Sequence, residues 1–134
     1  DNLTVFFNPT YTKYTYDGDI VSGGVTYKTD GEQVVDVPEW SMVSGVIAKY
    51  KGFEAVPTVR CIGERYGDIA HNEKLPPYTV IDLKLGYAIE KFHWLKDLRF
   101  SLEFYNLLDK KYIVSTSYYP GAPFTILGSL SFRM

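Results

Sequence analysis

The sequence predicts an all-β fold: about six antiparallel strands that form a segment of an up-and-down transmembrane β-barrel and belong to a larger barrel. Three observations support this fold class. Apolar and polar residues alternate with period two along most of the 134 residues. The alternating runs are about 10–14 residues long, whereas strands of globular proteins usually have about 5–6. Short turns also alternate with long polar loops, as in bacterial outer-membrane barrels.

The clearest alternation covers residues 78–89. A strand projects successive side chains to opposite sides, so this segment has one apolar face and one mixed face. The apolar face carries Thr79, Ile81, Leu83, Leu85, Tyr87 and Ile89, and the mixed face carries Tyr78, Val80, Asp82, Lys84, Gly86 and Ala88.

Five further segments show the same alternation. They are residues 3–16, 40–50, 52–66, 98–108 and 124–134. Pro57 weakens the assignment of residues 52–66 because proline removes a backbone donor from the ladder. The strand lengths favour a barrel in a membrane, since a tilted membrane-spanning strand needs about 9–11 residues.

The connections between these segments differ in length. Residues 50–53 resemble a tight hairpin because Gly52 stands where a two-residue turn favours glycine. Short links are predicted at residues 51–52 and 90–97, and long loops at residues 17–37, 67–77 and 110–123. Long loops on one side point to the outside of the cell.

Aromatic residues make up 16% of the chain, and tyrosine alone contributes 12 residues. One group lies at the short-turn end, namely Tyr50, Phe53, Phe92 and Trp94. The other lies at the long-loop end, namely Tyr14, Tyr16, Tyr66, Tyr78, Tyr112, Tyr118 and Tyr119. Aromatic rings at both ends of an apolar band are typical of two membrane–water interfaces. The alternative is that they are ordinary strand formers.

The direction of the apolar face separates two hypotheses. In an outer-membrane barrel it faces lipid and the lumen is polar. In a small soluble β-barrel it would face inward and bind an apolar ligand. Lipid-facing residues would be Leu83, Leu85, Phe100, Phe104, Ile126 and Phe132, and lumen-facing residues would be Arg60, Asp82, Lys84, Arg99, Glu103 and Arg133.

Composition and motifs argue against several other functions. The net charge of −2 does not indicate a nucleic-acid partner. Cys61 is the single cysteine, so no internal disulfide and no cysteine-based zinc site are expected. Phosphate loops, nucleophile elbows and paired-histidine metal motifs are missing, so an enzyme is the least favoured class and no catalytic, cofactor or metal residues are assigned. We also expect no signal peptide within these residues.

The loops hold the candidate ligand contacts. They are His71, Tyr118 and Tyr119. For His71, a solvated side chain in the outer loop is the simpler interpretation and a ligand contact is the alternative. His93 lies in a predicted interfacial turn. Residues 109–111 (Asp-Lys-Lys) are interpreted as a salt cluster at the barrel rim. Asn106 is expected on the apolar side, with its amide bonded to backbone at the end of the strand.

Several short motifs follow one another in a specific order. They are V-P-E-W at residues 37–40, G-E-R-Y-G-D at 63–68, P-Y-T-V-I-D-L at 77–83, N-L-L-D-K-K-Y at 106–112, and the final stretch at 120–133. In this order they resemble the C-terminal part of TonB-dependent receptors, including the signature N-L-F-D-K-x-Y, where Leu108 replaces the usual phenylalanine.

The resemblance implies a fold, a location and a function. Family members are barrels of about twenty-two strands around an N-terminal plug in the bacterial outer membrane, a count within the range of such barrels. They import scarce nutrients such as ferric siderophores, haem or cobalamin. On this basis residues 1–134 are the C-terminal part of such a barrel without the plug. Outer-membrane lipid, the missing N-terminal strands and the plug would be partners, and TonB would act only through the plug. The isolated piece is expected to self-associate, because an open sheet exposes unpaired edges.

Overall fold

The computed structural model describes residues 2–92, 95–116 and 118–133, and its regular structure there is entirely β-strand. No helix in these ranges is long and apolar enough to cross a membrane. The strands are β1 (Asn2–Tyr11), β2 (Ile20–Ser22), β3 (Val25–Tyr27), β4 (Trp40–Tyr50), β5 (Phe53–Ile62), β6 (Arg65–Tyr66), β7 (Lys74–Leu75), β8 (Tyr78–Phe92), β9 (Leu95–Tyr105), β10 (Ile113–Ser115), β11 (Tyr119–Pro120) and β12 (Thr125–Arg133).

The six long strands form one antiparallel sheet in the order β1-β4-β5-β8-β9-β12. Each long strand therefore pairs with the long strands before and after it, which is the up-and-down topology predicted from the sequence. The six short strands pair as three two-stranded ribbons, β2-β3, β6-β7 and β10-β11. The predicted fold class is confirmed, and the sheet is open because β1 and β12 each lack a neighbour on one side.

The first short turn is the predicted hairpin. Tyr50 pairs with Phe53, and the two residues between them, Lys51 and Gly52, have φ of 46° and 82°. Positive φ at both central positions is the backbone of a type I′ turn, which matches the twist of the flanking strands. At Gly52 a Cβ atom would lie 2.5 Å from the carbonyl oxygen of Ala88, so this position also needs glycine for space.

The second short link is shorter than predicted. The ladder between β8 and β9 continues to Phe92 and Leu95, so most of predicted link 90–97 is strand. The backbones of Lys91 and Lys96 pair there although both residues are charged. His93 and Trp94 lie outside the described residues.

Three long strands end earlier than the alternation predicts, and one of them is β5, which ends at Ile62. β1 ends at Tyr11, and beyond it Thr15 and Tyr16 form isolated bridges to Gln33 and Asp30 in the loop. β9 ends at Tyr105 because Asn106 has a φ of 50°, which takes the chain out of the extended region.

Pro57 lies within β5 despite its missing donor. The pairing of β5 with β8 continues through Pro57 and Leu83, whereas the pairing with β4 is interrupted opposite it, between Gly45 and Ala48. The proline is thus accommodated at a local gap in one ladder, as proline in a sheet requires.

The register gives the sheet two chemically different faces. The apolar face includes Val5, Phe7, Val46, Val59, Ile81, Leu83, Leu85, Phe100, Leu102, Phe104, Ile126 and Leu130. The cross-strand ion pairs of the polar face include Lys49–Glu54 at 3.1 Å, Arg60–Asp82 at 3.3 Å and Lys84–Glu103 at 3.7 Å. The predicted division of the strands into apolar and charged faces is confirmed.

The apolar face does not pack into a water-soluble core. Phe100 and Ile126 are 46% and 52% exposed, and in the described ranges the apolar side chains that are buried are Leu75, Val80 and Leu98. A contiguous exposed apolar surface of this size is typical of contact with lipid. A closed soluble barrel around an apolar ligand would instead bury these side chains.

We expect Leu85→Arg in the full-length protein to lower the free energy of unfolding by about 2–4 kcal/mol, because the charge would enter the middle of the apolar band that faces lipid. Thr58→Arg is the control, since Thr58 lies on the polar face opposite Asp82. Guanidinium unfolding in phospholipid vesicles measures both variants. Equal losses at the two positions would contradict the assignment of the faces.

Candidate functional site

Three long loops gather at one end of the sheet, because each joins two neighbouring antiparallel strands at the same edge. Loop 1 (residues 12–39) joins β1 to β4, loop 2 (residues 63–77) joins β5 to β8, and loop 3 (residues 106–124) joins β9 to β12. Each loop contains one two-stranded ribbon. The three loops contact one another, and together they are called the loop layer below.

Arg65 connects all three loops. Its side chain is only 5% exposed, and its Nε atom lies 3.7 Å from Oδ1 of Asp36 in loop 1. Its Nη2 group donates a 2.8 Å hydrogen bond to the carbonyl oxygen of Ile113 in loop 3. The guanidinium also lies 5.5 Å from the centre of the Tyr78 ring. A buried cation needs such partners, so Arg65 ties the loop layer together.

Backbone contacts reinforce this connection. The N–H of Asp36 donates to the carbonyl oxygen of Tyr66 at 2.9 Å, which joins loop 1 to loop 2. The ring of Tyr112 in loop 3 packs against the ring of Tyr78, with centroids 4.4 Å apart. The loop layer is therefore a packed structure and not a set of independent loops.

His71 lies inside the loop layer. Its ring stacks on that of Tyr66 with centroids 4.1 Å apart, and Nδ1 lies 3.3 Å from Oε2 of Glu32 in loop 1. The side chain is 12% exposed, and Nε2 is buried without a hydrogen-bond partner among the described residues. The sequence favoured a solvated loop histidine, and this expectation is wrong because Tyr66 covers the ring.

Tyr118 and Tyr119 lie at the ribbon of loop 3. They are 59% and 69% exposed, and Tyr118 has a φ of 54°. Neither ring packs against another aromatic ring in the described part of the chain. These two side chains therefore present free aromatic surface and hydroxyl groups to solvent, whereas His71 does not.

The aromatic residues at the long-loop end do not all serve one purpose. Tyr11 and Trp40 pair across the apolar face and are 71% and 50% exposed, as interfacial residues would be. Four of the tyrosines assigned to this interface are instead half-buried, namely Tyr16, Tyr66, Tyr78 and Tyr112. The last three pack against aromatic or cationic side chains in or beside the loop layer. The positions of aromatic residues in the sequence could not distinguish interfacial rings from rings that pack within the loop layer.

Asn106 connects β8 with both ends of loop 3. Its backbone N–H donates to Oδ1 of Asp82 at 2.8 Å. Its side-chain amide donates to the carbonyl oxygens of Lys110 and Ala122, both at 2.9 Å, and its Oδ1 accepts the N–H of Lys110 at 2.8 Å. The bonds to backbone are as predicted. The apolar-side placement is wrong, because the left-handed backbone turns this buried residue towards Asp82 on the polar side.

Asp109 also acts on the backbone. Its Oδ1 accepts the N–H of Phe124 at 2.9 Å, just before β12. No ion pair with Lys110 or Lys111 occurs within the described ranges, so the predicted rim salt cluster is wrong. A sequence pattern cannot distinguish these uses of a carboxylate, since N–H groups attract it as lysines do.

The β2-β3 ribbon projects from loop 1 and is fixed at its base. Thr29 is buried, accepts the N–H of Ile20 and donates to the carbonyl oxygen of Gly18. Asp19 Oδ2 accepts a 2.6 Å hydrogen bond from Lys28, which lowers the pKa of the Asp19 carboxyl and raises the pKa of Lys28. The pair weakens only when pH falls through the lowered carboxyl pKa or rises through the raised lysine pKa, so the base keeps its charges at neutral pH.

The described residues hold no group of three or more histidine, cysteine, aspartate or glutamate side chains arranged to bind a metal ion. The exposed groups of the loop layer include the aromatic rings and hydroxyls of Tyr118 and Tyr119.

An open up-and-down sheet with one exposed apolar face, one charged face, short turns at one end and long loops at the other defines part of the wall of an outer-membrane β-barrel. The chain belongs to the TonB-dependent receptor β-barrel family. The family described as "TonB dependent receptor-like, beta-barrel" matches residues 2–107. The chain is therefore a protein of the Gram-negative outer membrane.

Solved structures support the fold. The chain resembles BauA, the ferric preacinetobactin receptor of Acinetobacter baumannii (22% identity, TM-score 0.67, covering 77% of this chain and 16% of that one). It resembles the ferric-catecholate import receptor Fiu of Escherichia coli K12 (24%, 0.69, 96% and 18%). It also resembles the siderophore receptor PiuA of A. baumannii (20%, 0.67, 98% and 18%). The chain thus spans less than a fifth of each receptor, and comparison with curated proteins finds no match.

We expect Arg65→Ala in the full-length receptor to loosen the loop layer locally by about 2–3 kcal/mol, because it removes a buried cation together with its contacts to loops 1 and 3. Hydrogen exchange at the amide of Asp36 measures the loss. Arg60→Ala is the control, since its half-exposed pair with Asp82 contributes about 0–1 kcal/mol. Unchanged exchange at Asp36 would show that Arg65 does not hold the loops.

We expect Asn106→Ala to destabilise the β9–β12 connection by about 2–4 kcal/mol, because the buried side-chain hydrogen bonds are lost and alanine disfavours the left-handed backbone. Asn106→Gly tolerates the backbone and loses only the side chain, so its loss should be smaller. Hydrogen exchange at Lys110 and denaturant unfolding measure both variants. Equal destabilisation by the alanine and glycine variants would show that the left-handed backbone of residue 106 does not contribute to the effect.

Proposed function

We propose that this chain, residues 1–134, is the C-terminal six-stranded part of a TonB-dependent receptor that imports a scarce nutrient, and that the nutrient is a ferric siderophore. The match to the receptor-barrel family over residues 2–107 carries the proposal. The three similar structures are a ferric preacinetobactin receptor, a ferric-catecholate import receptor and a siderophore receptor, which supports the choice of siderophore over haem or cobalamin.

In the proposed receptor the rest of the barrel and the plug are supplied by residues outside this chain. The coverage of 16–18% of the similar receptors supports this division. Energy from TonB would reach the ligand through the plug. The chain itself would contribute a lipid-facing wall, a polar lining and part of the outer mouth.

Within this chain the ligand contacts are proposed on loop 3. Tyr118 and Tyr119 present exposed rings and hydroxyl groups at the mouth, where aromatic surface binds a large ligand at low entropic cost. His71 is proposed as a residue that positions loop 2 against loop 1, because its ring is stacked on Tyr66 and paired with Glu32.

Transport by the full-length receptor tests the proposal directly. Iron-starved cells that carry the receptor as their sole siderophore receptor should accumulate radiolabelled iron from a panel of ferric siderophores, and cells without TonB should not. Labelled haem and cobalamin serve as comparison substrates. Uptake that is independent of TonB, or uptake of haem or cobalamin alone, would contradict the function stated here.

We expect the double variant Tyr118→Ala/Tyr119→Ala to raise the Kd for the transported siderophore about tenfold, because an aromatic contact contributes about 1–2 kcal/mol. The matched variant Tyr118→Phe/Tyr119→Phe keeps the rings and separates stacking from hydroxyl contacts. Intrinsic fluorescence titration measures both. If the alanine variant binds as tightly as the unmodified receptor, loop 3 does not contact the ligand.

A further inference from the structure

His71 is a titratable side chain enclosed between two loops at the outer mouth. Its ring lies nearly parallel to that of Tyr66, with the centroids 4.1 Å apart, and only 12% of the side chain is exposed. Nδ1 lies 3.3 Å from Oε2 of Glu32 in loop 1. Histidine is the side chain whose charge ordinarily changes between about pH 5 and pH 8, so the pH outside the cell can act on this contact.

The backbone of His71 lies in the left-handed region, with a φ of 56°. A residue other than glycine keeps this conformation only where the surrounding contacts fix it. The ring supplies two such contacts, through Tyr66 and Glu32, and the N–H of His71 donates to the carbonyl oxygen of Asp68 at 3.1 Å. Release of the ring would therefore let this part of loop 2 relax.

The two ring nitrogens of His71 have different surroundings. Nδ1 faces a carboxylate, so the neutral ring carries its hydrogen there and donates it to Glu32. Nε2 is buried and has no hydrogen-bond partner among the described residues. The neutral ring leaves only a lone pair at Nε2, whereas the protonated ring places an N–H group there without an acceptor. Protonation therefore buries an unsatisfied donor, which is costly.

The carboxylates of loop 1 do not offset this cost. Glu32 attracts a protonated ring, but its side chain is 57% exposed, and ion pairs that are open to water contribute little. Asp30 accepts the N–H of Gly18 at 2.9 Å, and Asp36 lies beside the buried guanidinium of Arg65. Neither of these two carboxylates bonds to the ring of His71.

The charged groups of loop 2 do not favour a protonated ring either. Oδ1 of Asp68 accepts the N–H of Glu73 at 2.7 Å, and neither residue pairs with the His71 ring in the described loops. Nζ of Lys74 lies 5.5 Å from the centre of the Tyr66 ring. Its hydrogen bond to Glu64 raises the pKa of Lys74, so the lysine stays charged at neutral and acidic pH and disfavours a second cation on Tyr66.

We propose that the contact of His71 with Tyr66 and Glu32 is an acid-sensitive latch, which joins loop 2 to loop 1 at neutral pH and opens when His71 takes up a proton. The N–H of Asp36 in loop 1 donates to the carbonyl oxygen of Tyr66, so release of the stacked ring also weakens this bond between the loops. The joined state is stable while the ring is neutral and loses stability as pH falls, as for any histidine that is buried in its neutral form. The inference extends the positioning role proposed for His71, and it does not depend on which nutrient is transported.

Hydrogen exchange in the full-length receptor tests the latch. The amide of Asp36 reports on the joint between the loops, and the amide of Lys110, which donates to the side chain of Asn106 in loop 3, is the internal control. Observed rates are normalised to the intrinsic rate at each pH and expressed as protection factors. We expect protection at Asp36 to fall about tenfold between about pH 8 and about pH 5.5, and protection at Lys110 to stay constant.

Two substitutions separate protonation from packing. His71→Asn tolerates the left-handed backbone and can still donate to Glu32, and His71→Phe keeps a stacked ring on Tyr66, but neither new side chain titrates. We expect each variant to show the same protection at Asp36 at both pH values, even where packing loss lowers that protection throughout. Glu32→Gln removes the attraction that partly offsets the buried N–H, so its loss of protection in acid should exceed that of the unmodified receptor.

Three results would overturn the inference. Equal protection at both pH values in the unmodified receptor would show that the ring does not sense pH. The same acid loss in both His71 variants would assign the effect to another group. A gain of protection in acid would show that the ion pair with Glu32 outweighs the buried N–H.

The outcome is separable from that of the transport experiment. A receptor that imports a ferric siderophore but shows no pH dependence at Asp36 keeps its function and loses the latch. A receptor that shows the pH dependence but transports no siderophore keeps the latch and loses the proposed substrate.

Discussion

The structure depends on the requirement that backbone N–H and C=O groups in lipid be satisfied within the protein. Six long strands meet this requirement by pairing with the long strands before and after them in the chain. The period of two in the sequence then determines which side chains lie on each face of the sheet. Because Leu83, Phe104 and Ile126 stand side by side on three adjacent strands, one face is continuously apolar. The opposite face can therefore hold Arg60–Asp82 and Lys84–Glu103 within the same sheet.

The loop layer obeys a different constraint, that of burying polar groups with partners. Arg65 is nearly inaccessible to solvent, and its contacts come from loop 1, loop 3 and the start of β8. Asn106 is also buried, and it donates hydrogen bonds to the carboxylate of Asp82 and to the carbonyl oxygens of Lys110 and Ala122. These two residues stand within the sequence runs at 63–68 and 106–112 that carry the family resemblance, and the contacts give both runs a structural explanation. These contacts join the three loops, and Tyr118 and Tyr119 remain exposed beside them.

The wall could be predicted from the sequence because alternation is a local signal that survives without knowledge of any partner. The six strands, the Lys51–Gly52 turn and the polarity of both faces all follow from it. The ends of the strands were harder to predict from the sequence. The ladder extends through Glu90 and Lys91, which have polar side chains, because the backbone pairs regardless of side-chain polarity, and β9 stops at Asn106 because of a φ angle that no alternation encodes.

The loop layer could not be predicted, since its contacts join residues far apart in the chain. Arg65 and Ile113 are separated by 48 positions, and His71 and Glu32 by 39. Nothing near His71 in the sequence indicates that Tyr66 covers its ring. The use of Asp109 by the N–H of Phe124 was hidden by the two lysines that follow it. In such loops the residue type shows which kinds of contact a side chain can make, but only the folded structure shows which residue is its partner.

The β2-β3 ribbon does not tolerate substitution equally at all of its positions. Its tip turns at Gly23 and Gly24, whose φ angles of 58° and 79° favour glycine, while Val21 and Val25 beside the tip are exposed. All the bonds that hold it lie at the base, around Asp19 and Thr29. Substitutions at the exposed positions Val21 and Val25 therefore cost the fold little, whereas the two turn positions are held to glycine by their backbone, so the ribbon can vary along its sides and not at its turn.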